Sequence, residues 1–207
     1  CGGGSGKVSD KDITVISREE GSGTRDAFTE LTGVLQDDVD KTVDTAEISN
    51  STSVVTQSVA GNDAAIGYIS LGSLDDTVKA VKVDGVEATV DNIKSGDYKI
   101  QRPFNIVTKG EVKELPADFI KFIMSKDGQK IIEDEGYISV NENAEAYKAS
   151  GLKGSITLAG STSVSPVMEV LADKYKELNS GVTIEIQQTG SGAGIQSTTE
   201  GVCDIGM

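Results

Sequence analysis

The chain has 207 residues, a formal net charge of −14 at pH 7, and neither histidine nor tryptophan. This length fits one large domain or two small lobes. Without histidine the chain cannot form a Ser-His-Asp triad or a histidine-ligated zinc site, and two cysteines are too few for a disulfide framework. The acidic charge and the aromatic content of 4% argue against binding to nucleic acid or to an anionic membrane surface.

The N-terminal segment, residues 1–11, is predicted to be a flexible tether because it begins with the Gly- and Ser-rich run CGGGSG. A cysteine at a mature N-terminus is typical of a lipoprotein after removal of its signal peptide, so Cys1 is a candidate for lipid attachment. The alternative is a linker that carries an incidental cysteine. No apolar run in the sequence approaches the roughly 18–20 residues of a membrane-spanning helix.

The first third of the chain alternates strand patterns with helix patterns. DITVIS is β-branched and alternating, which predicts a strand, and NSTS is rich in residues that cap a helix. In chain order we predict a strand at 12–17, a helix over 24–31, an acidic connection over 33–44, a helix from 49–53 to residue 59, and a strand at 64–69.

The middle of the chain combines alternating segments with amphipathic ones. VKAVKV alternates and is followed by the turn dipeptide Asp84-Gly85, while apolar residues recur at helical spacing between residues 116 and 134. We predict strands at 78–83, 103–108 and 137–140, and helices over 89–94, 116–124 and 127–134.

The C-terminal part is the most regular. After a polar linker over 141–153, we predict strands at 156–159, 182–186 and 202–207, and helices over 164–178 and 194–199. Strands that alternate with helices indicate an α/β fold with parallel sheets.

Three loops of similar design each follow a predicted strand and precede a helix: REEGSGT (18–24), GSTS (160–163) and TGSGAG (189–194). Free N–H groups and the dipole at a helix N-terminus both favour an anion. Ser and Thr hydroxyls add donors, and Arg18 adds a planar, permanently charged fork. Such residues are also ordinary helix caps, but three of these loops at the carboxyl ends of strands indicate a ligand site.

The remaining candidates near these loops are charged or sulfur-containing. We interpret Glu20 as the carboxylate that orients Arg18, and Arg25 either as a competing cation or as a salt-bridging surface group. Cys203 lies in an apolar strand pattern and is interpreted as a small core residue. No phosphate-loop motif GxxxxGK[ST] occurs, and no nucleophile, base or metal cluster indicates an enzyme, so we predict neither catalysis, cofactor nor metal.

Six segments of the sequence resemble the phosphate-binding proteins of phosphate-specific ABC transporters. They are SREEGSGTRDAF (17–28), AIGYIS (65–70), FIKFIMSKDGQKIIEDEGYIS (119–139), AGSTSVSP (159–166), QTGSGAGI (188–195) and DIGM (204–207). The resemblance covers nearly the whole chain after the tether. It implies a two-lobed fold of the periplasmic-binding-protein kind, with residues 12–73 in one lobe, residues 74–207 in the other and a ligand cleft between them.

The order of these segments departs from the usual family arrangement, in which AGSTS comes first and REEGSGTR later. The order here resembles a circular permutation, with 141–153 as the linker that joins the usual end to the usual start. The family also continues past the position of Met207, and its Asp acceptor follows the DIGM-type strand. The sequence up to Met207 therefore lacks the counterpart of this proton-accepting group and part of the family's chain.

The resemblance also implies which residues bind the ligand. One lobe would contribute Arg18, Ser22, Gly23 and Thr24, and the other would contribute Thr162, Ser163 and Ser191. These residues would provide the charged fork, hydroxyl groups and backbone N–H groups for inorganic phosphate.

The function implied by the resemblance is binding of inorganic phosphate and its delivery to an ABC transporter permease in the membrane. The protein would then lie on the extracellular face of the bacterial cytoplasmic membrane, anchored by a lipid on Cys1. Three alternatives stay open: a binder of another tetrahedral oxyanion such as sulfate, a phosphate-handling enzyme, and a surface or signalling lipoprotein that keeps the fold without transport.

Overall fold

A computed structural model of the chain describes residues 11–207, so Cys1 and nearly all of the predicted tether lie outside the described residues. The helices are α1 (Gly23–Thr32), α2 (Thr52–Ala60), α3 (Val90–Lys94), α4 (Glu114–Ile123), α5 (Lys126–Asp134), α6 (Ser165–Leu178) and α7 (Ser191–Glu200). The strands are β1 (Thr14–Arg18), β2 (Leu35–Gln36), β3 (Val39–Asp40), β4 (Glu47–Ser49), β5 (Ala65–Ile66), β6 (Gly154–Gly160), β7 (Val182–Gln188) and β8 (Ile205–Gly206). The predicted α/β class with parallel sheets is confirmed.

The N-terminal sheet has the strand order β4-β1-β5, and both pairs are parallel. Its register places Arg18 opposite Ser49 at the carboxyl end of the sheet. The buried apolar side chains in this part of the structure are Ile16 of β1 and Val55 of α2. Helices α1 and α2 therefore begin close together, because the strands that precede them end at the same edge.

The C-terminal sheet has the order β7-β6-β8, with β6 paired in parallel to both neighbours. Its strands pack with helices α4, α5 and α6 around the main hydrophobic core. The buried members of this core are Phe119, Phe122, Ile123, Ile156, Leu158, Val164, Val167, Met168, Leu171, Ala172, Tyr175, Val182, Ile205 and Met207. Cys203 is also buried, as predicted for a small core residue.

Three of the predicted strands are wrong, because none of these segments forms a continuous ladder with a neighbouring strand in the described residues. Val81 in the segment 78–83 is 59% exposed, and the only pairing near it is the Val83–Val86 bridge around the predicted Asp84-Gly85 turn. The segment 103–108 contributes one isolated bridge, Val107 to Gly206. In 137–140, the N–H of Val140 is satisfied by a side chain, Oε1 of Gln129, at 2.8 Å.

The acidic connection over 33–44 holds a β-hairpin that the sequence did not indicate. Strands β2 and β3 are antiparallel, and the two residues between them, Asp37 and Asp38, have φ of 50° and 60°. Positive φ at both central positions defines the tight hairpin turns whose twist matches the flanking strands. Asp tolerates this conformation because its short side chain bonds locally.

The 141–153 segment, which the sequence predicts to be a linker, contains no helix or strand and makes specific contacts with the C-terminal part of the structure. The Tyr147 hydroxyl donates to Oδ2 of Asp118 at 2.5 Å and accepts from Nδ2 of Asn179 at 3.1 Å. Its ring lies edge-on to Phe122 at a centroid distance of 5.1 Å. Tyr175 donates to the same Asp118 oxygen at 2.7 Å, and burial and this hydrogen bond raise the pKa of Tyr175.

These contacts predict that the linker contributes to stability. Tyr147→Phe removes the hydroxyl that joins Asp118 to Asn179, so we expect the free energy of unfolding to fall by about 1–2 kcal/mol. Tyr147→Ala also removes the ring and should cost about 2–4 kcal/mol. Urea denaturation measures both, with Tyr98→Phe as the control outside this network. An unchanged midpoint in Tyr147→Phe would show that the segment is only a passive connection.

Candidate functional site

Four strand-to-helix junctions meet at one place in the structure: β1 to α1, β4 to α2, β6 to α6, and β7 to α7. The first three are joined by hydrogen bonds among Arg18, Thr52 and Thr162. The fourth is joined to the first where the N–H of Gly192 donates to the carbonyl of Gly21 at 2.9 Å. The three predicted anion loops are therefore brought together, with four helix N-termini in the same neighbourhood.

Arg18 is the central cation of this site. It is the last residue of β1 rather than a loop residue, and it is only 2% exposed. Its Nε and Nη2 donate to the two carboxylate oxygens of Glu19 at 2.8 and 2.9 Å. Nη2 also donates to Oγ1 of Thr162 at 3.0 Å, and Nη1 to Oγ1 of Thr52 at 3.3 Å. A charge buried this deeply is stable only because it is paired and hydrogen-bonded.

The carboxylate that orients Arg18 is Glu19, so the prediction that Glu20 has this role is wrong. The N–H of Ser22 donates to the carbonyl of Glu19 at 3.2 Å. This hydrogen bond closes a four-residue turn in which Glu20 is the second residue. Glu20 is exposed at this position of the turn. Glu19, still bonded through its N–H to Ser49 of the neighbouring strand at 3.1 Å, keeps its side chain beside Arg18.

Hydroxyl groups from both halves of the chain form the other part of the site. Oγ1 of Thr24 and Oγ of Ser163 are 2.6 Å apart. Oγ1 of Thr52 lies 3.1 Å from Oγ1 of Thr162 and 3.0 Å from Oγ of Ser163. Thr52, Thr162 and Ser163 are all buried. Each hydroxyl can donate one hydrogen bond and accept two, so the cluster can rearrange its hydrogens around a bound oxyanion.

The other predicted site residues lie at the starts of α1 and α7. Ser22 is buried, and its Oγ accepts from the N–H of Arg25 at 3.3 Å, so Ser22 is the N-cap of α1. Gly23 and Ser191 are the first residues of α1 and α7. A Cβ added at Gly23 would lie 2.7 Å from Oγ of Ser191, so glycine allows the two helix starts to approach. All seven predicted site residues thus lie in or beside one cluster.

Arg25 lies one helical residue past the first loop and forms a salt bridge with Asp40. Of the two interpretations offered for it, competing cation or salt-bridging group, the structure supports the second. Its Nε and Nη2 both lie 2.8 Å from Oδ2 of Asp40, and its Nη1 donates to the carbonyl of Arg18 at 2.6 Å. Hydrogen bonds from Thr42, followed by the nearby Arg25 guanidinium, lower the pKa of Asp40. Arg25 thereby connects the β2–β3 hairpin to the end of β1.

The Thr42 hydrogen bonds and the Arg25 ion pair together predict that the Asp40 carboxylate makes a pH-dependent contribution to stability. Because the folded pKa of Asp40 is lowered from 3.8, its carboxylate stabilises the fold above that pH, and the effect is lost as the pH falls through the folded value. We expect Asp40→Asn to reduce the free energy of unfolding by about 0.5–1 kcal/mol at pH 7. The difference from wild type should shrink as the pH is lowered below about 4.

Urea denaturation at pH 7 and at successively lower pH tests this prediction, with the exposed Asp76→Asn as the matched control. A difference between wild type and Asp40→Asn that stays constant with pH would contradict the assigned role of the Asp40 carboxylate.

Thr52 is the site residue that the sequence did not predict. The pattern around Thr52 predicts a helix start, but no strand is predicted before it, so the segment lacks the strand-loop-helix order of the three anion loops. One signal was present: NSTS at 50–53 contains Ser and Thr, as the other three loops do, and also precedes a helix.

Two further features of the described residues bear on function. Residues 11–207 contain no group of three or more His, Cys, Asp or Glu side chains that could hold a metal ion. Among the helices in the same range, none is long and apolar enough to span a membrane.

Comparison with known proteins identifies the family of the chain. The PBP superfamily domain matches residues 5–127 and 145–207. The phosphate-binding protein PstS 2 of Streptococcus agalactiae is 51% identical over 213 residues, which cover 100% of this chain and 72% of the relative. The protein of the same name from Streptococcus pneumoniae is 51% identical over 94% of this chain and 68% of its own length.

Solved structures agree with these relatives. A phosphate-binding protein of a phosphate ABC transporter from Streptococcus pneumoniae superimposes with a TM-score of 0.74 and 50% identity, covering 95% of this chain and 78% of that structure. A protein from Clostridium perfringens, described as a phosphate ABC transporter substrate-binding protein and solved with bound phosphate, has a TM-score of 0.60 and 46% identity. It covers 64% of this chain, and this chain covers 54% of it. The chain therefore belongs to the PstS family of phosphate-binding proteins within the PBP superfamily.

Proposed function

We propose that the chain binds inorganic phosphate outside the cell and delivers it to the permease of an ABC transporter. The observation that carries this proposal is the buried Arg18 guanidinium, hydrogen-bonded to Thr162 and lying within a cluster that includes the Thr24 and Ser163 hydroxyls. The membership of the chain in the PstS family and the phosphate in its Clostridium perfringens relative support the same function.

The chemistry of the cluster suits a tetrahedral oxyanion. The guanidinium supplies charged donors at Nη1 and Nη2, on the side that faces the Thr52 and Thr162 hydroxyls. The hydroxyls supply short donors, and the helix N-termini supply free N–H groups. The net charge of −14 does not oppose this, because salt screens distant charges beyond roughly 8 Å while the donors act at contact.

The same cluster offers a basis for selectivity. Phosphate carries a proton near neutral pH, whereas sulfate carries none. A hydroxyl can donate to either anion, so preference for the protonated ligand needs a group that only accepts hydrogen bonds. In this cluster that group is the Glu19 carboxylate beside Arg18. We propose that Thr24, Thr162 and Ser163 bind phosphate with Arg18, and that Ser22, Gly23 and Ser191 complete the site through N–H and hydroxyl groups.

We propose further that residues 12–73 and 74–207 act as two lobes that close on the ligand. Arg18 and Thr24 come from the first range, Thr162 and Ser163 from the second, and their hydrogen bonds cross between the two. An anion that contacts both ranges binds the closed form more tightly and shifts the population toward it. The closed form would be recognised by the permease.

The remaining proposals concern the anchor and the chain order. Lipid attachment at Cys1 would place the protein on the extracellular face of the cytoplasmic membrane. A permutation junction at 141–153 is proposed from the order of the segments alone, in which SREEGSGTRDAF precedes AGSTSVSP.

We propose binding without catalysis, since the matched relatives are named as phosphate-binding proteins. Calorimetric titration with phosphate and, in parallel, sulfate tests the function after bound ligand has been removed. We expect phosphate affinity in the micromolar range or tighter, about 8 kcal/mol or more, and much weaker sulfate binding. Equal affinities would favour a general oxyanion binder, and release of phosphate from esters would favour an enzyme. Binding of neither anion would overturn the proposal.

A further inference from the structure

Thr52 occupies the start of α2 but does not cap it. The N-cap is Ser51, whose Oγ accepts from the N–H of Val54 at 3.3 Å. The hydroxyl of Thr52 therefore does not make the N-cap hydrogen bond that usually explains a threonine at a helix start. It is also buried, at 5% exposure.

All the groups that hydrogen-bond to the Thr52 hydroxyl belong to the proposed phosphate site. Its Oγ1 accepts from Nη1 of Arg18 at 3.3 Å and lies 3.1 Å from Oγ1 of Thr162 and 3.0 Å from Oγ of Ser163. Its backbone N–H donates to Oγ1 of Thr162 at 3.3 Å. These partners are 34 to 111 residues away in sequence, so tertiary structure has placed this hydroxyl among three proposed ligand groups.

The bonding capacity of the hydroxyl allows it to hold Arg18 and bind an anion at the same time. One lone pair accepts from the guanidinium, and the single hydrogen rotates freely about the C–O bond. An oxyanion oxygen that reaches Thr162 and Ser163 would lie within range of that hydrogen. The N–H groups of the first turn of α2 would add the favourable end of a fourth helix dipole.

We infer that Thr52 is a further phosphate-binding residue, which donates its hydroxyl hydrogen to the anion while its oxygen accepts from Nη1 of Arg18. This inference rests on the proposed function. The site then becomes a convergence of four strand-to-helix junctions. Arg18 comes from β1, Thr52 from α2, Thr162 and Ser163 from the loop before α6, and Ser191 from α7.

Calorimetric titration of three variants tests the inference. Thr52→Val keeps the shape and removes the hydroxyl, so its phosphate Kd should rise roughly ten- to hundredfold. Thr52→Ser keeps the hydroxyl and should stay within about threefold of wild type. The control is Thr56→Val, one turn further along α2, whose hydroxyl bonds to the Thr52 carbonyl at 3.3 Å and whose loss should leave the Kd unchanged.

The outcomes separate this inference from the proposed function. If wild type and Thr52→Val bind phosphate equally while Thr162→Val binds weakly, the function stands and the role of Thr52 is overturned. Equal weakening in Thr52→Val and Thr52→Ser would show a packing role and would also overturn it. If Thr52→Val does not fold, judged by circular dichroism, Thr52→Ala carries the same expectation. Absence of phosphate binding in wild type would overturn both proposals.

Discussion

Replacing Arg18 by alanine is expected to weaken phosphate binding by at least a hundredfold, the largest effect of any single site substitution in this chain. Arg18 is the buried cation of the cluster, and its guanidinium bonds to both Thr52 and Thr162. Charge-assisted hydrogen bonds to an oxyanion are about twice as strong as neutral ones. Without Arg18, the carboxylate of Glu19 would also face the ligand with no cation to neutralise it.

Two comparisons make the Arg18 experiment specific. Arg18→Lys keeps the charge but cannot reproduce the paired contacts to Glu19, so its affinity should fall between wild type and Arg18→Ala. Arg102→Ala removes an arginine of the same type that is 48% exposed and pairs with Glu30 at 2.9 Å on the surface, and it should bind phosphate like wild type. Calorimetric titration measures all three. Similar losses in Arg18→Ala and Arg102→Ala would indicate that general charge, rather than the buried fork, attracts the anion.

The second large effect is expected at Gly160, where β6 leads into the Ser161–Ser163 part of the site. Gly160 has φ of 143°, a backbone conformation that is essentially restricted to glycine. A Cβ there would lie 2.1 Å from the carbonyl oxygen of Met207, a backbone atom that cannot rotate away. The carbonyl of Gly160 also accepts from the N–H groups of Thr189 and Gly190 at 3.0 and 2.8 Å.

Gly160→Ala should therefore reduce the free energy of unfolding by about 3–5 kcal/mol. It should also abolish phosphate binding, because the side chain would push β6 away from Met207 and displace the loop that carries Thr162 and Ser163. Gly151→Ala is the matched control: φ there is also positive, at 71°, but no heavy atom lies within 4 Å of the added Cβ. That change should cost only about 1–2 kcal/mol and leave the affinity intact.

Urea denaturation and phosphate titration of the two glycine variants separate the two contributions. Equal losses of stability would mean that backbone conformation alone accounts for the effect and that the close approach of Met207 is unimportant.

Local sequence patterns were sufficient for the helices and for the central strands. Helices α4 and α5 followed from the spacing of their apolar residues, and β6 and β7 from alternation and β-branched composition. These patterns are encoded within a few neighbouring residues, so they are visible in a single sequence. Alternation in 78–83 was misleading because a strand needs a partner, and its surroundings in the described structure supply none.

The sequence by itself also determined the chemistry of the site: three loops of Gly, Ser and Thr, each between a strand and a helix, with Arg18 beside the first. Only the tertiary structure decided which groups meet. The hydrogen bond from Arg18 to Thr162 spans 144 residues, the choice of Glu19 over Glu20 depends on a turn, and Thr52 joins the site because β4 pairs with β1. The composition of a loop is a local property, whereas the convergence of loops follows from strand order, which is set by contacts between distant parts of the chain.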